Sequence, residues 1–154
     1  NHGFMPIVVT AVAQDEFAKW VLQKRIESHY EEKKAESTSV TVQDIMTLGK
    51  KEYERNCAMC HQVDGSGMAN SYPPLKASRV VTAPIEETVL YVMRGVPNAA
   101  MQPYGKILDD ETLALIISYI RIAWGNNLIL EQENYQPLVS PAGIKLLRER
   151  FNLH

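Results

Sequence analysis

The stretch CAMCH, Cys57 to His61, places two thiols two residues apart and follows the second one directly with an imidazole. These are the two cysteines of the chain, so the sequence has no further thiol from which to build a disulfide framework. The segment that follows, QVDGSGMANSYPPLKASRVVTAP, is rich in glycine, proline and serine. A long irregular segment in a compact domain is usually functional, for example as a loop that wraps a ligand. The motif and its loop therefore predict a binding site.

A C-x-x-C-H sequence is the attachment signature of c-type haem. The thiols of Cys57 and Cys60 can add to the vinyl groups on one porphyrin edge, and His61 can then turn beneath the ring and bind iron. A thioredoxin-like redox pair would need a βαβ setting, which the sequence lacks. A zinc site would need a fourth ligand, and the remaining histidines lie in the end segments, at His2, His29 and His154. We therefore predict one covalent haem c, with His61 as an iron ligand.

The sixth iron ligand decides between electron transfer and the binding of a small molecule. Histidine with methionine fills the coordination sphere and raises the potential, whereas an open position favours gas binding or activation. Met101 lies in a proline-bracketed loop well downstream of His61, which gives it the reach to cover the far haem face. The other methionines are less well placed because they lie inside the motif, too close to it, in helical core patterns or far upstream: Met59, Met68, Met46, Met93 and Met5. Met101 is therefore the predicted sixth ligand.

Length and charge restrict the possible partners. The 154 residues are enough for one domain of usual size. Sixteen basic and eighteen acidic side chains nearly balance, which argues against a nucleic-acid partner and against long-range electrostatic steering. No run approaches the roughly 20 apolar residues that cross a bilayer. We expect this chain to be soluble.

Patterns of apolar spacing predict the elements around the motif. We expect a strand over residues 4–12, and then a partly solvated connector helix over QDEFAKWVLQKRIESHYEEKKAE. Further helices are predicted over residues 43–56, over residues 85–94 with a stop at Gly95, and from Asp109 to Gly125. Ser140 and Pro141 begin a short amphipathic helix in the tail. That last helix either docks, on the preceding part of the chain or on another protein subunit, or belongs to a solvated, frayed tail.

Residues 43–127 resemble a class I cytochrome c domain. The features that match are Gly49 and Tyr53 in the first helix, CAMCH, YPPL, AAMQPYG, and LALIISYIRIAWGNN in the last helix. The resemblance implies an all-α class I cytochrome c fold around one covalent haem. It also implies that the first and last helices cross at a small residue, with Gly49 against Tyr119 or Ala123.

The same resemblance implies further haem contacts. In the family a proline carbonyl accepts the Nδ1 hydrogen of the iron-binding histidine, which fixes the ring and makes it a better donor. Spacing from His61 favours Pro73, with Pro74 second. Arg79 loosely matches an arginine that meets a haem propionate, and a solvated surface cation is the alternative. Tyr104 is a candidate haem contact as well, and it completes an apolar rim around the haem edge that we expect to dock a donor, formed with Met59, Met68, Ala99 and Ala100.

A more specific resemblance covers YPPLKASRVVTAPIEETVLYVMRGVPNAAMQPYG and WGNN, which are similar to the cytochrome domain fused to subunit II of caa-type cytochrome c oxidases. Under this resemblance NHGFMPIVV is the end of the CuA domain, and His2 and Met5 match the last two CuA ligands. The upstream histidine and the Cys-x-x-x-Cys loop are not in the chain, so its copper site would be incomplete. We therefore expect a fragment cut through that domain.

This interpretation divides the chain into residues 1–42, the end of the CuA (cupredoxin) domain with a connector and linker, residues 43–127, the cytochrome c domain, and residues 128–154, a C-terminal extension. It implies an electron relay without a catalytic site of its own. The donor would be a soluble or membrane-bound respiratory protein, and the acceptors the CuA centre and then subunit I of the oxidase. We expect the extracytoplasmic (periplasmic) face of the inner membrane, with a membrane-anchored parent protein. The alternatives are a free periplasmic shuttle cytochrome and an enzyme or gas sensor with a labile methionine ligand.

Overall fold

The computed structural model describes residues 10–36, 41–132 and 137–153, and for residues 26–36 and 130–132 it describes the backbone alone. Within these ranges the chain is helical, and its β-structure is one isolated bridge between Met68 and Tyr72. The all-α prediction is confirmed for this part of the chain. The strand predicted over residues 4–12 lies largely outside the described residues. Its described end, residues 10–12, is irregular, so the cupredoxin remnant receives no support.

Helix α1, Gln14–Glu36, covers the predicted connector. Phe17 and Trp20 stack on its exposed side with ring centroids 5.9 Å apart. Leu22 is 7% exposed and belongs to the same buried cluster as Ile144 and Leu147 of α8, Pro141–Phe151. One face of α1 is therefore solvated, and the other packs on the C-terminal helix.

The next helical segment crosses the core. It consists of α2, Val42–Asp44, a π-helical turn, Ile45–Gly49, and α3, Lys50–Asn56. Thr41 caps its start with a capping box, since the Thr41 side chain accepts from the Asp44 backbone and Asp44 accepts from the Thr41 backbone. Gly49 lies against α6, Asp110–Ile122, where an added Cβ would come within 2.6 Å of the Leu115 carbonyl oxygen and 2.8 Å of the Tyr119 Cβ. The predicted crossing at Gly49 is confirmed for Tyr119.

Helix α4, Ala58–His61, is the single turn of the CAMCH motif, and α5, Ile85–Arg94, ends at Gly95 with φ 65°, as predicted. Asp109 caps the start of helix α6, because its side chain accepts from the Thr112 amide at 2.7 Å. It is the central helix, with most of its apolar side chains buried. One buried cluster joins it to α5 and α8, and a second joins it to the segment from Ile45 to Tyr53.

Helix α6 ends earlier than predicted. It stops at Ile122, a 3₁₀ turn spans Ala123–Gly125 with Trp124 in the left-handed region at φ 56°, and α7, Asn126–Gln132, follows. The expectation that no run approaches a membrane-spanning length was wrong by this measure, because the stretch Asp110–Ile129 is long and apolar enough to cross a membrane by length and composition alone. Much of it is buried in the interior here, as in the core helix of a globular domain.

The C-terminal helix α8 docks on the cytochrome-like part, which decides between the two expectations for the tail. Ser140 caps it by accepting from the Gly143 amide at 3.1 Å, with Pro141 in the first turn. Ile144 and Leu147 are fully buried. The Arg148 guanidinium donates to Asp110 at 2.8 Å and ties α8 to the start of α6.

Candidate functional site

The CAMCH motif forms one helical turn directly after α3. The Cys57 carbonyl accepts from the amides of Cys60 at 3.1 Å and His61 at 3.0 Å, so the turn presents both thiols and the imidazole from a short rigid unit. Both cysteines are free and half-buried. Burial, and then the neighbouring Cys60, raise the pKa of the Cys57 thiol to about 12. Cys57 is therefore a protonated thiol at neutral pH.

His61 is 9% exposed, and its Nδ1 lies 2.9 Å from the Pro73 carbonyl oxygen. A carbonyl oxygen can only accept, so Nδ1 carries the hydrogen in this contact and Nε2 keeps a lone pair. This is the tautomer in which a histidine binds a metal through Nε2. Of the two candidate prolines, Pro73 is the one whose carbonyl lies against the ring.

Two loop glycines bring Pro73 to this position. The Gly67 amide donates to the His61 carbonyl at 3.0 Å, and Gly67 has φ 67°. A Cβ on Gly67 would lie 2.7 Å from the Pro73 carbonyl oxygen, so a side chain here would push Pro73 away from the imidazole. Gly65 has φ 70°, and its position leaves no room for a Cβ because the Trp124 ring would be 2.6 Å away. The loop can close over the motif because both residues lack a side chain.

An aromatic cluster packs against the loop that follows His61. Tyr53, Tyr119 and Trp124 pack with ring centroids 5.2 to 5.6 Å apart. The Tyr53 hydroxyl donates to the Gln62 carbonyl at 2.5 Å, directly after His61, and burial raises the pKa of Tyr53. The break at Trp124 turns its ring toward Tyr53 and Gly65. Sequence reasoning placed Trp124 in a continuous helix and missed this role.

The loop that carries Met101 is fixed at both ends. The Met101 carbonyl accepts from the Val96 amide at 2.9 Å, and its side chain is half-buried. Tyr104, three residues later, donates its hydroxyl hydrogen to the Asn56 carbonyl at 2.9 Å, next to Cys57. Burial of Tyr104 raises its pKa. The structure thus brings the Met101 loop and the CAMCH turn together through Tyr104.

The remaining predicted site residues are on the surface. Arg79 is exposed, which is compatible with both of its predicted roles, a contact to a haem propionate and a solvated surface cation. Met59 is 89% and Met68 41% exposed, and Ala99 and Ala100 are exposed too. Tyr104 is partly buried by its bond to Asn56, so it contributes less to the apolar rim than expected.

Two buried polar residues near the loop were missed by sequence reasoning. Arg121 is fully buried, and its Nη1 donates to the carbonyls of Val81 at 2.8 Å and Ala83 at 2.7 Å and to Thr88 Oγ1 at 3.0 Å. Asn126 is also fully buried. The sequence signal was available for the first, because a charged side chain within LALIISYIRIAWG needs internal partners.

The donor groups fit haem c. Two free thiols at the attachment spacing, an imidazole whose Nε2 is left for a metal, and a thioether on a separate loop are the groups that would hold a covalent haem c. Among the side chains that the structure describes, in residues 10–25, 41–129 and 137–153, no three His, Cys, Asp or Glu converge as a metal-binding group. The predicted CuA ligands, His2 and Met5, lie outside the described residues.

Comparison with known proteins agrees with this geometry. The family described as cytochrome c oxidase, cbb3-type, subunit III matches residues 44–120. The cytochrome c subunit of alcohol dehydrogenase (quinone) from Gluconacetobacter polyoxogenes is 34% identical, over 51% of this chain and 19% of that relative. The corresponding subunit of Gluconobacter oxydans is 30% identical, with the same shares covered. Cytochrome c-552 of Thermus thermophilus is 30% identical over 51% of this chain and 69% of its own length.

The chain spans about a fifth of the length of the two dehydrogenase subunits and more than two thirds of cytochrome c-552. The family match begins at the capped helix before the motif and ends within α6, so it covers the motif, its loop and the Met101 loop. The chain therefore belongs to the cytochrome c family of electron-transfer proteins, which implies a covalent haem c at the motif formed by Cys57, Cys60 and His61.

Proposed function

We propose that this domain relays single electrons from a respiratory donor to the CuA centre of a cytochrome c oxidase, as the haem-bearing part of its subunit II. The contact between His61 Nδ1 and the Pro73 carbonyl carries the electron-transfer part of the proposal, because it leaves Nε2 for iron. His61 and Met101 would hold the haem iron between them. The bound group would then supply one-electron transfer and leave no position open to a substrate.

Each residue of the site has a defined task in this proposal. Bound haem c supplies a one-electron Fe(III)/Fe(II) couple. Cys57 and Cys60 would hold one porphyrin edge at the α4 turn, and the Pro73 carbonyl would orient His61 and strengthen it as a donor. Tyr104 bonds to Asn56 and thereby keeps the Met101 loop next to the motif. A fixed set of ligands changes little between oxidation states, which favours rapid electron exchange.

The docking surface is the apolar rim around the motif. Met59 and Met68 of this rim are exposed apolar side chains on the α4 turn and on the loop that follows it, and the exposed Val63 lies between them in sequence. Because acidic and basic side chains nearly balance along the chain, we infer that donor docking relies on apolar contact more than on charge. Such docking is weakly sensitive to salt, since screening acts on charge pairs.

Two observations support the oxidase assignment. The matching family is described as a subunit of a cytochrome c oxidase, although of cbb3 type. His2 and Met5 have the His-x-x-Met spacing that resembles the last ligands of a CuA site. In this proposal the haem domain works at the extracytoplasmic face of the inner membrane. Tethering it to its acceptor replaces a bimolecular encounter by a high effective concentration.

The test has two stages, both on the haem-loaded chain. Spectra come first: low-spin iron in both oxidation states and no carbon monoxide binding are expected, and five-coordinate iron would exclude the relay. Stopped-flow mixing of the reduced chain with an oxidised CuA domain of a caa-type oxidase then measures electron transfer. The expected result is full reduction of CuA at rates that saturate with CuA concentration. An absence of CuA reduction would overturn the oxidase assignment but not the haem assignment.

A matched pair of variants locates the docking surface. Met59→Glu places a charge in the rim and should slow the reduction of the oxidised chain by a donor cytochrome about tenfold, since an unpaired charge in the centre of an interface is costly. Phe17→Glu makes the same change at a residue of similar chemistry on α1, which packs on α8, and should leave the rate unchanged. If both variants slowed electron transfer equally, the rim would not be the docking surface.

A free shuttle cytochrome is the second candidate. The likeness to cytochrome c-552 favours it, because that likeness covers 69% of the relative's length. A shuttle would reduce CuA domains from unrelated oxidases as fast as the caa-type domain. The relay proposal expects at least a tenfold preference for the caa-type partner.

A further inference from the structure

Asn126 is a fully buried side chain at the start of α7, and all of its hydrogen-bonding hydrogens are used. Its Oδ1 accepts from the Ala77 amide at 2.7 Å. Its Nδ2 donates to the carbonyls of Ile120 at 2.7 Å and Leu75 at 3.1 Å. A carboxamide has two N–H hydrogens and one acceptor oxygen. The side chain therefore bridges the end of the last core helix and the haem-side loop.

The bridged loop segment is held from a second side as well. The amides of Leu75 and Lys76 donate to the Gly65 carbonyl at 2.8 Å and 3.1 Å. Ala77 adopts φ 54°, a left-handed conformation that is unfavourable for a residue with a Cβ. The hydrogen bond from its amide to Asn126 offsets that cost. Without Asn126, the segment would keep its hydrogen bonds to Gly65 but lose the hydrogen bonds that favour the left-handed conformation of Ala77.

Pro73 lies two residues before this segment, and its carbonyl oxygen is the partner of His61 Nδ1. On its other side the Met68–Tyr72 bridge, with N···O distances of 2.8 and 2.9 Å, holds the chain that leads into Pro73. The direction of the Pro73 carbonyl is thus determined by two anchors, one on each side. Asn126 supplies the anchor on the Leu75 side.

We propose that Asn126 is a positioning residue for the iron-binding histidine. It acts through Leu75 and Ala77 to keep the Pro73 carbonyl on His61 Nδ1, and it thereby sets the donor strength of the imidazole. The inference rests on the proposed binding of iron by His61. A partner that accepts from a ligating histidine raises the basicity of that ligand, and its loss typically changes metal affinity 10–100-fold.

The sign of the effect follows from the charge of the iron. A strong Nδ1–H···O bond gives the imidazole more negative character, and this stabilises Fe(III) more than Fe(II). Weakening the bond therefore favours the ferrous form and raises the reduction potential. A tenfold change in that preference corresponds to ~59 mV for a one-electron couple.

The experiment compares Asn126→Leu with Ser118→Ala in the haem-loaded chain. Leucine has the same branched arrangement of four non-hydrogen side-chain atoms as asparagine, and it removes all three hydrogen bonds. Ser118 is an equally buried polar residue on α6, but it bonds to the Val139 amide at 3.0 Å, in the C-terminal tail. Both variants should lose stability to denaturant. Only the Asn126 variant should raise the reduction potential. The expected rise is ~59 mV, which corresponds to a change of about tenfold in the preference for the ferrous form.

A second readout reports on the contact itself. In the diamagnetic ferrous state, the His61 Nδ1 proton should exchange with solvent at least tenfold faster in N126L than in the parent chain. Its exchange rate in S118A should equal that of the parent chain. Asn126→Ser keeps a polar group at the buried position, but its side chain is too short to reach both loop contacts. This variant replaces N126L in the same measurements if N126L does not fold. Unchanged potential and exchange in a destabilised Asn126 variant would show a structural role alone. A parent chain without low-spin ferrous iron would instead defeat the proposed pair of iron ligands, His61 and Met101, and with it the proposed function.

Discussion

Replacing Gly49 with alanine should destabilise the domain, although the same change stabilises most helices. Gly49 is the last residue of the π-helical turn and has helical φ and ψ of −63° and −38°. Alanine is favoured over glycine in a helix by about 1 kcal/mol. At this position the added methyl would lie 2.6 Å from the Leu115 carbonyl oxygen and 2.8 Å from the Tyr119 Cβ. Neither atom can rotate away, because one is backbone and the other is attached to it.

The magnitude follows from these two opposing effects. Overpacking of a well-packed interior costs about 1–3 kcal/mol, and two contacts with immobile atoms place this site at the upper end. Subtracting the gain of about 1 kcal/mol in helix propensity leaves a net loss of about 2 kcal/mol. For a chain of this size, that loss lowers the midpoint of thermal unfolding by about 4–8 °C.

The assay is thermal and denaturant unfolding of the haem-loaded chain, followed by far-ultraviolet circular dichroism. The comparison of Lys51→Gly with Lys51→Ala, at an exposed position two residues away, measures the propensity effect without the clash. Lys51→Ala should be the more stable of that pair by about 1 kcal/mol. A Gly49→Ala variant as stable as the parent chain, or more stable, would refute the close crossing of α6 and the π-helical turn.

Four further predictions test other parts of the molecule. Met101→Ala should leave His61 as the one axial protein ligand, so that the ferrous form binds carbon monoxide; a spectrum unchanged by the gas would contradict the assignment. Leu147→Ala in buried α8 should lower the free energy of unfolding by about 2–5 kcal/mol without moving the reduction potential. Arg121→Met should lower the free energy of unfolding, measured with denaturant, by about 1–3 kcal/mol, because the buried carbonyls that accept from the guanidinium would lose their donor. The hydrogen bond from the Thr112 amide holds the pKa of Asp109 below its usual range. Stability from this cap is therefore present above pH ~4 and lost as the pH falls through the lower folded-state pKa, and Asp109→Ala should remove that part of the acid sensitivity.

The sequence predicted the parts of this molecule that depend on local chemistry. Helix ends followed from residues that act within one turn, such as Asp109 before α6, Gly95 after α5 and Ser140 before α8. The CAMCH motif identified the candidate site because attachment requires both thiols and the imidazole within five consecutive residues. The helix crossing at Gly49 came from the resemblance and could not have been obtained from spacing alone.

The parts that were missed depend on partners distant in sequence. Trp124 continues a helical pattern, and its turn into the left-handed region reflects packing against Gly65 and Tyr53, which no local rule contains. Asn126 follows a glycine and has the composition of an ordinary turn residue. Its burial depends on Leu75 and Ala77, about fifty positions earlier. Such contacts could be predicted only once the loop and the helix were already placed together.

The arrangement of α6 explains why the loop around His61 can be long without being loose. Packing of its apolar face fixes the helix between the two buried clusters, so its end is a rigid reference point. Arg121 holds Val81 and Ala83 from that reference, and Asn126 holds Leu75 and Ala77. Because ordering a long glycine-rich segment costs conformational entropy, side-chain anchors on a rigid helix reduce the number of states open to it. In the proposed electron carrier, these anchors would hold His61 in one orientation while the haem changes oxidation state.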